Sequence, residues 1–237
     1  MSIFKKNKID FSNLPKHVAF IMDGNGRWAK AQGKVRTYGH KKGVVALEKV
    51  IKHAVKLGLE VVSFYAFSTE NWKRPKEEVD YIFSLMRDYL NEKKNLFKEH
   101  NIKLRTVGDI SKLPQDLQSS VKEIEESTKD CSGLLVNVCL NYGSRVEIIK
   151  AINDIIKDGV KQVTDEIFAK YLQTNGIPDP DIVVRTSGEC RLSNFMLYQC
   201  AYSELYFPKI YWPDFDEKEL EKTIIVYQKR NRRFGNI

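Results

Sequence analysis

The chain has 237 residues, 42% of them hydrophobic and 11% aromatic, which supports one sizeable globular domain and argues against a disordered or fibrous polypeptide. With 39 Lys and Arg against 31 Asp and Glu, the net charge of +8 calls for anionic partners: phosphates, nucleic acid or an acidic membrane surface. The N-terminus MSIFKKNKID has no apolar signal core, no apolar run approaches the ~20 residues of a bilayer span, and Cys131, Cys139, Cys190 and Cys200 lack CxxC spacing, so a reduced cytoplasmic setting is expected.

Residues 1–15 read as a flexible basic arm ending at Pro15, and 16–237 as a single domain. Strand patterns fall at 18–22, 61–67, 102–107, 134–140, 181–185 and 204–207, and helical patterns at 39–57, 76–99, 114–128, 143–158, 164–173 and 216–230. Near-continuous apolar strands separated by long helices predict an α/β fold with a mostly parallel, six-stranded central sheet flanked by helices. In such folds ligands bind beyond the carboxyl ends of the strands, where the polar clusters of this chain fall.

The first cluster is Asp23-Gly-Asn-Gly-Arg27, directly after the apolar run Val18–Met22 and just before a helical pattern that begins around Trp28. Gly24 and Gly26 let the backbone approach a ligand, the following helix adds partial positive charge, and Arg27 adds a full one. Asp23 at the lip of this cradle suits a divalent cation that bridges to phosphate oxygens. A tight strand-to-helix turn with an Asp cap would leave the same signature. Arg36 and His40, four apart at the entry to the next helix, are placed to hold an outer phosphate.

The second apolar strand empties into Phe67-Ser-Thr-Glu-Asn-Trp-Lys-Arg-Pro75. Helix capping explains Arg74 to Glu78, with Pro75 at the first turn, but leaves Ser68, Glu70, Asn71 and Trp72 without a structural duty. Further along, Arg185-Thr-Ser-Gly-Glu-Cys-Arg-Leu-Ser193 sets two arginines and a hydroxyl around a glycine, the composition of a second diphosphate clamp or of a local Arg–Glu189 ion pair. Glu204 lies among apolar residues and needs a metal or an arginine as partner.

Two stripes run along helix 76–99: Val79, Ile82, Phe83, Met86 and Leu90, then Tyr81, Leu85 and Tyr89. Helix 39–57 is similarly broad. Either both helices are buried all round, or one face of each lines a hydrophobic cleft between sheet and helices, which suits a ligand with a charged head and an apolar tail. Two anion sites, a metal-capable acid and such a cleft on one rim suit the joining of two diphosphate-bearing apolar molecules. No nucleic-acid motif accompanies the charge, so nucleic acid is not an expected partner.

At these residues the chain closely resembles the cis-prenyltransferases, especially their bacterial long-chain members, from about His17 to Phe234. The resemblance rests on H-V-A-F-I-M-D-G-N-G-R-W-A, G-H at 39–40, F-S-T-E-N-W-K-R-P at 67–75, L-N-Y-G at 140–143, R-T-S-G-E-C-R-L-S-N-F at 185–195 and A-Y-S-E-L-Y-F at 201–207. It implies a catalytic domain over 16–237 that uses Mg2+ to condense an allylic diphosphate, usually farnesyl diphosphate, with successive isopentenyl diphosphates. It also implies a homodimer, and undecaprenyl diphosphate, the precursor of the cell-wall lipid carrier, as the expected product.

Carried over by this resemblance, Asp23 would bind Mg2+ and Glu204 would contribute to the metal site. Gly24, Asn25, Gly26, Arg27, Trp28, Arg36 and His40 would hold the allylic diphosphate, and Arg185, Arg191, Leu192 and Ser193 isopentenyl diphosphate. Ser68, Thr69, Glu70, Trp72 and Arg74 would shape the region between them. Asn71 matches the position assigned to proton removal; a neutral amide is a poor base, so it is expected to orient water, or a diphosphate oxygen takes the proton. The positive charge would also favour peripheral contact with an acidic inner membrane face, where a long-chain product leaves. Leu85, Tyr89, Leu135, Val136 and Val138 are candidates for the cleft floor. The C-terminal Arg230-Asn-Arg-Arg-Phe-Gly235 resembles a tail that approaches the neighbouring subunit's site in dimers.

Overall fold

Val18, Ala19 and Phe20 expose no surface, which puts the first strand inside the molecule with both faces covered. The computed structural model describes residues 8–230. Six strands, β1 (His17–Ile21), β2 (Val61–Ser68), β3 (Lys103–Val107), β4 (Leu135–Tyr142), β5 (Ile182–Arg185) and β6 (Glu204–Tyr206), form one sheet in the order β3-β4-β2-β1-β5-β6. Every pairing is parallel. Seven helices cover it among the described residues: α1 (Asn25–Ala31), α2 (Arg36–Leu57), α3 (Lys76–Glu99), α4 (Gln115–Ser127), α5 (Ser144–Lys157), α6 (Asp165–Tyr171) and α7 (Glu217–Gln228). The expected α/β class and strand number hold.

The chain leaves β1 toward β2 on one side and returns from β4 to β5 on the other, so the loops after β1 and β5 diverge and open a crevice over the sheet's carboxyl edge. Alternation along the strands separates two cores. Val18, Phe20, Val62, Phe64, Val136, Ile182 and Val184 meet α2, α7 and the Trp212–Phe215 turn. Ala19, Ile21, Cys139, Tyr142 and Val183 meet Phe195, Met196 and Cys200. A third cluster joins Phe67 and Leu140 to Val79, Ile82 and Phe83 of α3 and to Leu117 and Val121 of α4.

Three local features differ from the sequence expectation. Helix α1 starts at Asn25 rather than around Trp28, because Gly24 takes φ +103°, a left-handed conformation that turns the chain at once and lets Trp28 N–H bond the Gly24 carbonyl at 2.8 Å. The loop after β2 is itself helical, a 3-10 turn over Thr69–Lys73. Of the expected flexible arm, residues 1–7 lie outside the described residues. The rest is fastened to α7: Asp10 N–H donates to Gln228 Oε1, and Gln228 Nε2 donates to the carbonyls of Asp10 and Asn13. The C-terminal tail beyond Arg230 also lies outside the described residues.

A buried polar pair pins β1 to β2. His17 is fully buried; its Nδ1–H donates to the Pro178 carbonyl at 2.6 Å, so Nε2 of the neutral ring accepts from the Ser63 hydroxyl at 2.7 Å. Burial depresses its pKa to about 4, against the weaker opposing pull of the Pro178 hydrogen bond. The unfolded chain therefore takes up a proton near pH 6.5 that the folded protein refuses until about pH 4. Above pH 6.5 this group contributes no pH dependence. Between those values stability should fall by about 3 kcal/mol, at about 1.4 kcal/mol per pH unit. Urea unfolding from pH 7 to 4 measures it, and a His17→Asn variant should lose that part of the slope. An unchanged slope in the variant would contradict the assignment.

Candidate active site

The carboxyl ends of β1, β2 and β5 surround a cavity of about 630 Å³. Its walls carry Asp23, Gly24, Asn25, Gly26 and Arg27 from the β1–α1 turn, and Arg36 and His40 from the start of α2. Ser68, Glu70, Asn71 and Arg74 come from the segment after β2, and Arg185 and Ser193 from β5 and its loop. Thus thirteen of the residues expected at the site converge. Tyr65, Asn194, Met22 and Ala66 also line it and were not singled out in the sequence.

Asp23 is the hinge of the charge network. Its Oδ2 meets Arg185 Nη2 at 2.9 Å and its Oδ1 meets Arg27 Nη2 at 3.0 Å. Burial raises the Asp23 pKa, but the hydrogen bonds and charges of these two arginines outweigh it and hold the carboxyl below the usual range, ionised at neutral pH. The backbone is clamped separately: the Thr186 hydroxyl accepts from Asp23 N–H at 2.9 Å and donates to the Asp23 carbonyl at 2.6 Å. Arg185, only 5% exposed, also donates to Ser193 Oγ at 2.6 Å and to the Arg191 carbonyl at 2.8 Å. Glu189 bridges Arg27 and Arg191 at 2.5 and 2.6 Å.

Glu78 collects the remaining basic side chains. Its Oε1 lies 3.2 Å from Arg36 Nη2, His40 Nε2 and Arg74 Nη1 alike. Burial lowers the His40 pKa, the Glu78 hydrogen bond works against this, and Arg74 and Arg36 add to the lowering. His40 is therefore neutral at pH 7 in this state. The sequence offered Glu78 only as a first-turn acid of α3; its spacing of four from Arg74 was the available signal, while the contacts to Arg36 and His40 are long-range. Room for α2 against α1 comes from Gly39, where a Cβ would approach the Asn25 carbonyl oxygen to 2.0 Å.

Asn71 Oδ1 accepts from Ser68 N–H at 3.2 Å in a capping box, so the amide carbonyl is occupied and the Nδ2 donor is the group left for the cavity. That arrangement suits orienting an oxygen and does not suit a base.

Other expected residues are not among those that line the cavity. Trp28 stacks on Tyr38 and donates to Asp214 Oδ1 at 2.7 Å. Trp72 meets Phe67 and Phe83 edge-on and donates to Asn141 Oδ1 at 2.8 Å. Thr69 packs beside Gly143, and Leu192 packs on the second core. Arg191 is reached through Glu189. Glu204 lies elsewhere: β6 pairs it with Ile182, which pairs with Val18, five positions and about 16 Å along the strand from Asp23. Its carboxylate takes Arg230 Nη1 at 2.6 Å. Within one chain Glu204 and Asp23 do not share a site.

No three His, Cys, Asp or Glu side chains gather in metal-holding geometry among the described residues. Asp23, a carboxylate at the lip of the cavity, would be the residue to hold a Mg2+ ion, which would supply charge neutralisation to a phosphate group there.

Beneath the charged cavity runs an apolar cleft of about 80 Å³ between the sheet, α2 and α3. Leu47 and Ile51 of α2, Met86, Tyr89 and Leu90 of α3, and Val136, Val138 and Leu140 of β4 line it. Tyr89, Val136 and Val138 are thus where they were expected. Leu135 is not, since adjacent strand residues face opposite ways and it packs on the other core, and Leu85 is also absent from the lining.

A parallel-sheet domain with a cation-rich pocket that also carries Asp23 and Glu70, and with an apolar cleft below, is an arrangement suited to an enzyme that handles substrates with an anionic head and an apolar tail. Residues 21–235 match the family described as "Putative undecaprenyl diphosphate synthase". The chain is 49% identical over 226 residues to an isoprenyl transferase of Fusobacterium nucleatum, covering 95% of this chain and 97% of that one. It is 46% identical over 238 residues to an isoprenyl transferase of Clostridium tetani, covering 98% and 93%. Among solved structures, lavandulyl diphosphate synthase from Lavandula x intermedia, in complex with dimethylallyl diphosphate, superposes with a TM-score of 0.90 at 33% identity, covering 94% of this chain and 99% of that one. A protein described as a probable undecaprenyl diphosphate synthase, from Campylobacter jejuni, gives 0.81 at 35% identity, covering 94% and 100%. The chain belongs to the undecaprenyl diphosphate synthase family and is a prenyltransferase.

Proposed function

We propose that this prenyltransferase elongates chains: with Mg2+ it condenses isopentenyl diphosphate units onto an allylic diphosphate, farnesyl diphosphate as primer, to give undecaprenyl diphosphate for the cell-wall lipid carrier. The observation that carries this reading is the continuity of pocket and cleft, since Met22 and Ala66 line both. A diphosphate head held above would direct its apolar tail down between α3 and the sheet.

In this reading the turn 24–27, Arg36, His40 and Arg74 hold the allylic diphosphate, and Arg185, Arg191 and Ser193 hold isopentenyl diphosphate. The allylic carbon–oxygen bond breaks and inorganic diphosphate leaves with the electron pair. The terminal alkene carbon of isopentenyl diphosphate bonds to the freed carbon, and a proton departs to restore a double bond. Mg2+ held on Asp23 would neutralise charge growing on the leaving group. The arginines and the N–H groups of the turn share that task, preorganised before the charge appears. Holding both substrates side by side supplies the rest. Asn71 Nδ2 would orient the water or diphosphate oxygen that takes the proton.

At about 80 Å³ the cleft is small for a chain of many isoprene units. A growing chain must therefore press α3 away from the sheet. Val138→Phe should shorten the final product by several isoprene units while leaving the first condensation within about threefold of wild type, as read by sizing the extracted lipids. Unchanged product length would contradict passage through this cleft.

A homodimer is part of the proposal. Val146, Ile149, Ile152 and Ile156 form an apolar stripe on α5 that is 44–69% exposed in the single chain, a surface that a second copy would cover. Ile149→Lys with Ile156→Lys should yield a monomer in sedimentation; a dimer that persists would place the interface elsewhere. No helix among the described residues is long and apolar enough to cross a membrane. The net charge of +8 would support peripheral contact with an acidic membrane face from a cytoplasmic enzyme.

A further inference from the structure

The two segments that line the pocket after β2 and β5 meet the start of α5 at Asn194. Its backbone carbonyl accepts from Ser144 N–H at 2.8 Å and its Oδ1 accepts from Arg145 N–H at 2.9 Å, satisfying two donors in the first turn of α5 that have no partner within the helix. With Oδ1 so fixed, Nδ2 faces across the pocket and donates to Glu70 Oε1 at 2.9 Å. The residue holds φ +65°, next to Ser193 at φ +49°, a left-handed region that asparagine tolerates better than most residues. Gly143 makes the space: a Cβ there would approach Asn194 Nδ2 to 2.7 Å and Thr69 Oγ1 to 2.6 Å. Ser193 in turn receives Arg185, the guanidinium that also pairs with Asp23.

We infer that Asn194 is a positioning residue that fixes the spacing between the two diphosphate half-sites. Through Glu70 it ties the loop bearing Arg185, Arg191 and Ser193 to the segment bearing Ser68, Asn71 and Arg74. Capping α5 alone would use Oδ1 and the backbone and leave Nδ2 to solvent; the bond to Glu70 is the part that capping does not need. The inference rests on the chain-elongation reading, because it assigns isopentenyl diphosphate to the Arg185–Ser193 loop.

Asn194→Asp separates the two duties. The carboxylate still accepts from Arg145 N–H, while the donor to Glu70 is lost and two carboxylates face each other. The variant should melt within a few degrees of wild type. Its KM for isopentenyl diphosphate should rise by about tenfold or more, with the KM for farnesyl diphosphate little changed. Adding Glu70→Gln restores one hydrogen bond with reversed polarity, the introduced amide N–H donating to the introduced carboxylate, and should recover most of the loss. Should Asn194→Asp fail to fold, Asn194→Gly, which accepts φ +65° without a side chain, should show the same selective rise. A variant KM within threefold of wild type, an equal rise for both substrates, or no gain in the double variant would overturn the inference while the wild-type enzyme remains active. A wild-type protein that incorporates no isopentenyl units would overturn the elongation reading and this inference with it.

Discussion

Asp23→Asn should lower isopentenyl incorporation by about a thousandfold while leaving the protein folded. In the proposed reading the carboxylate does two things that an amide cannot: it would supply a charged oxygen to Mg2+, and it balances Arg27 and Arg185 at the pocket. Losing preorganised stabilisation of a developing anion costs about 10²–10³ in rate, and losing metal-assisted departure adds to it. The fold survives because the backbone at this residue is held by Thr186, not by the carboxylate. Asp23→Glu keeps the charge and moves it by about 1 Å, a misplacement worth on the order of 10². Affinity for inorganic diphosphate without metal should be unchanged or higher in Asp23→Asn, since a negative charge leaves the pocket. Steady-state kinetics and calorimetry measure the two effects, and turnover of Asp23→Asn within tenfold of wild type would show that Asp23 does not carry the metal chemistry.

The largest effect on stability is expected at Trp212. It is 1% exposed, stacks on Phe215 at 5.4 Å, packs at 5.8 Å from Phe20 and 6.2 Å from Phe64, and donates Nε1–H to the Gly43 carbonyl at 2.9 Å. Trp212→Ala should cost about 3–5 kcal/mol in packing, with about 1 more for the lost hydrogen bond to the Gly43 carbonyl. Against a typical total of about 5–15 kcal/mol this is a large fraction, and a fall in Tm of about 10–20 °C should follow. The effect reaches the site, because Trp212 N–H bonds the Asp23 carbonyl at 3.0 Å and Gly43 faces Asn25 across the α1–α2 contact. Trp212→Phe, which keeps most of the apolar volume, should lose markedly less. Thermal unfolding followed by circular dichroism measures both, and a loss below about 1 kcal/mol in Trp212→Ala would show that this cluster does not hold α2 on the sheet.

What was legible in the sequence follows from the parallel sheet. Each apolar strand ends in its polar cluster, and parallel strands put all those ends on one edge, so Asp23, Ser68, Asn71, Arg185 and Ser193 could be grouped before any coordinates. Spacing of four on one helix likewise put Arg36 and His40 together. The long-range chemistry was harder to read. Nothing local tells that Glu78 gathers two arginines and a histidine from one helix and a loop, or that Asn194 spans to Glu70. The resemblance put Trp28 and Trp72 among the substrate-binding residues; no local signal tells that their indole N–H groups bond Asp214 and Asn141. The cleft floor could have been narrowed further, since residues 135 and 136 of one strand cannot face the same space. The strand register that moves Glu204 away from Asp23 is invisible without coordinates.

In the proposed reaction the enzyme adds isopentenyl units repeatedly to a primer whose growing tail enters the cleft under Asp23. Incubation of the purified protein with Mg2+, farnesyl diphosphate and labelled isopentenyl diphosphate, followed by sizing of the extracted lipids, tests it most directly. A Mg2+-dependent ladder that ends near eleven isoprene units is the expected result. A single condensation product, or no incorporation by folded protein, would contradict it.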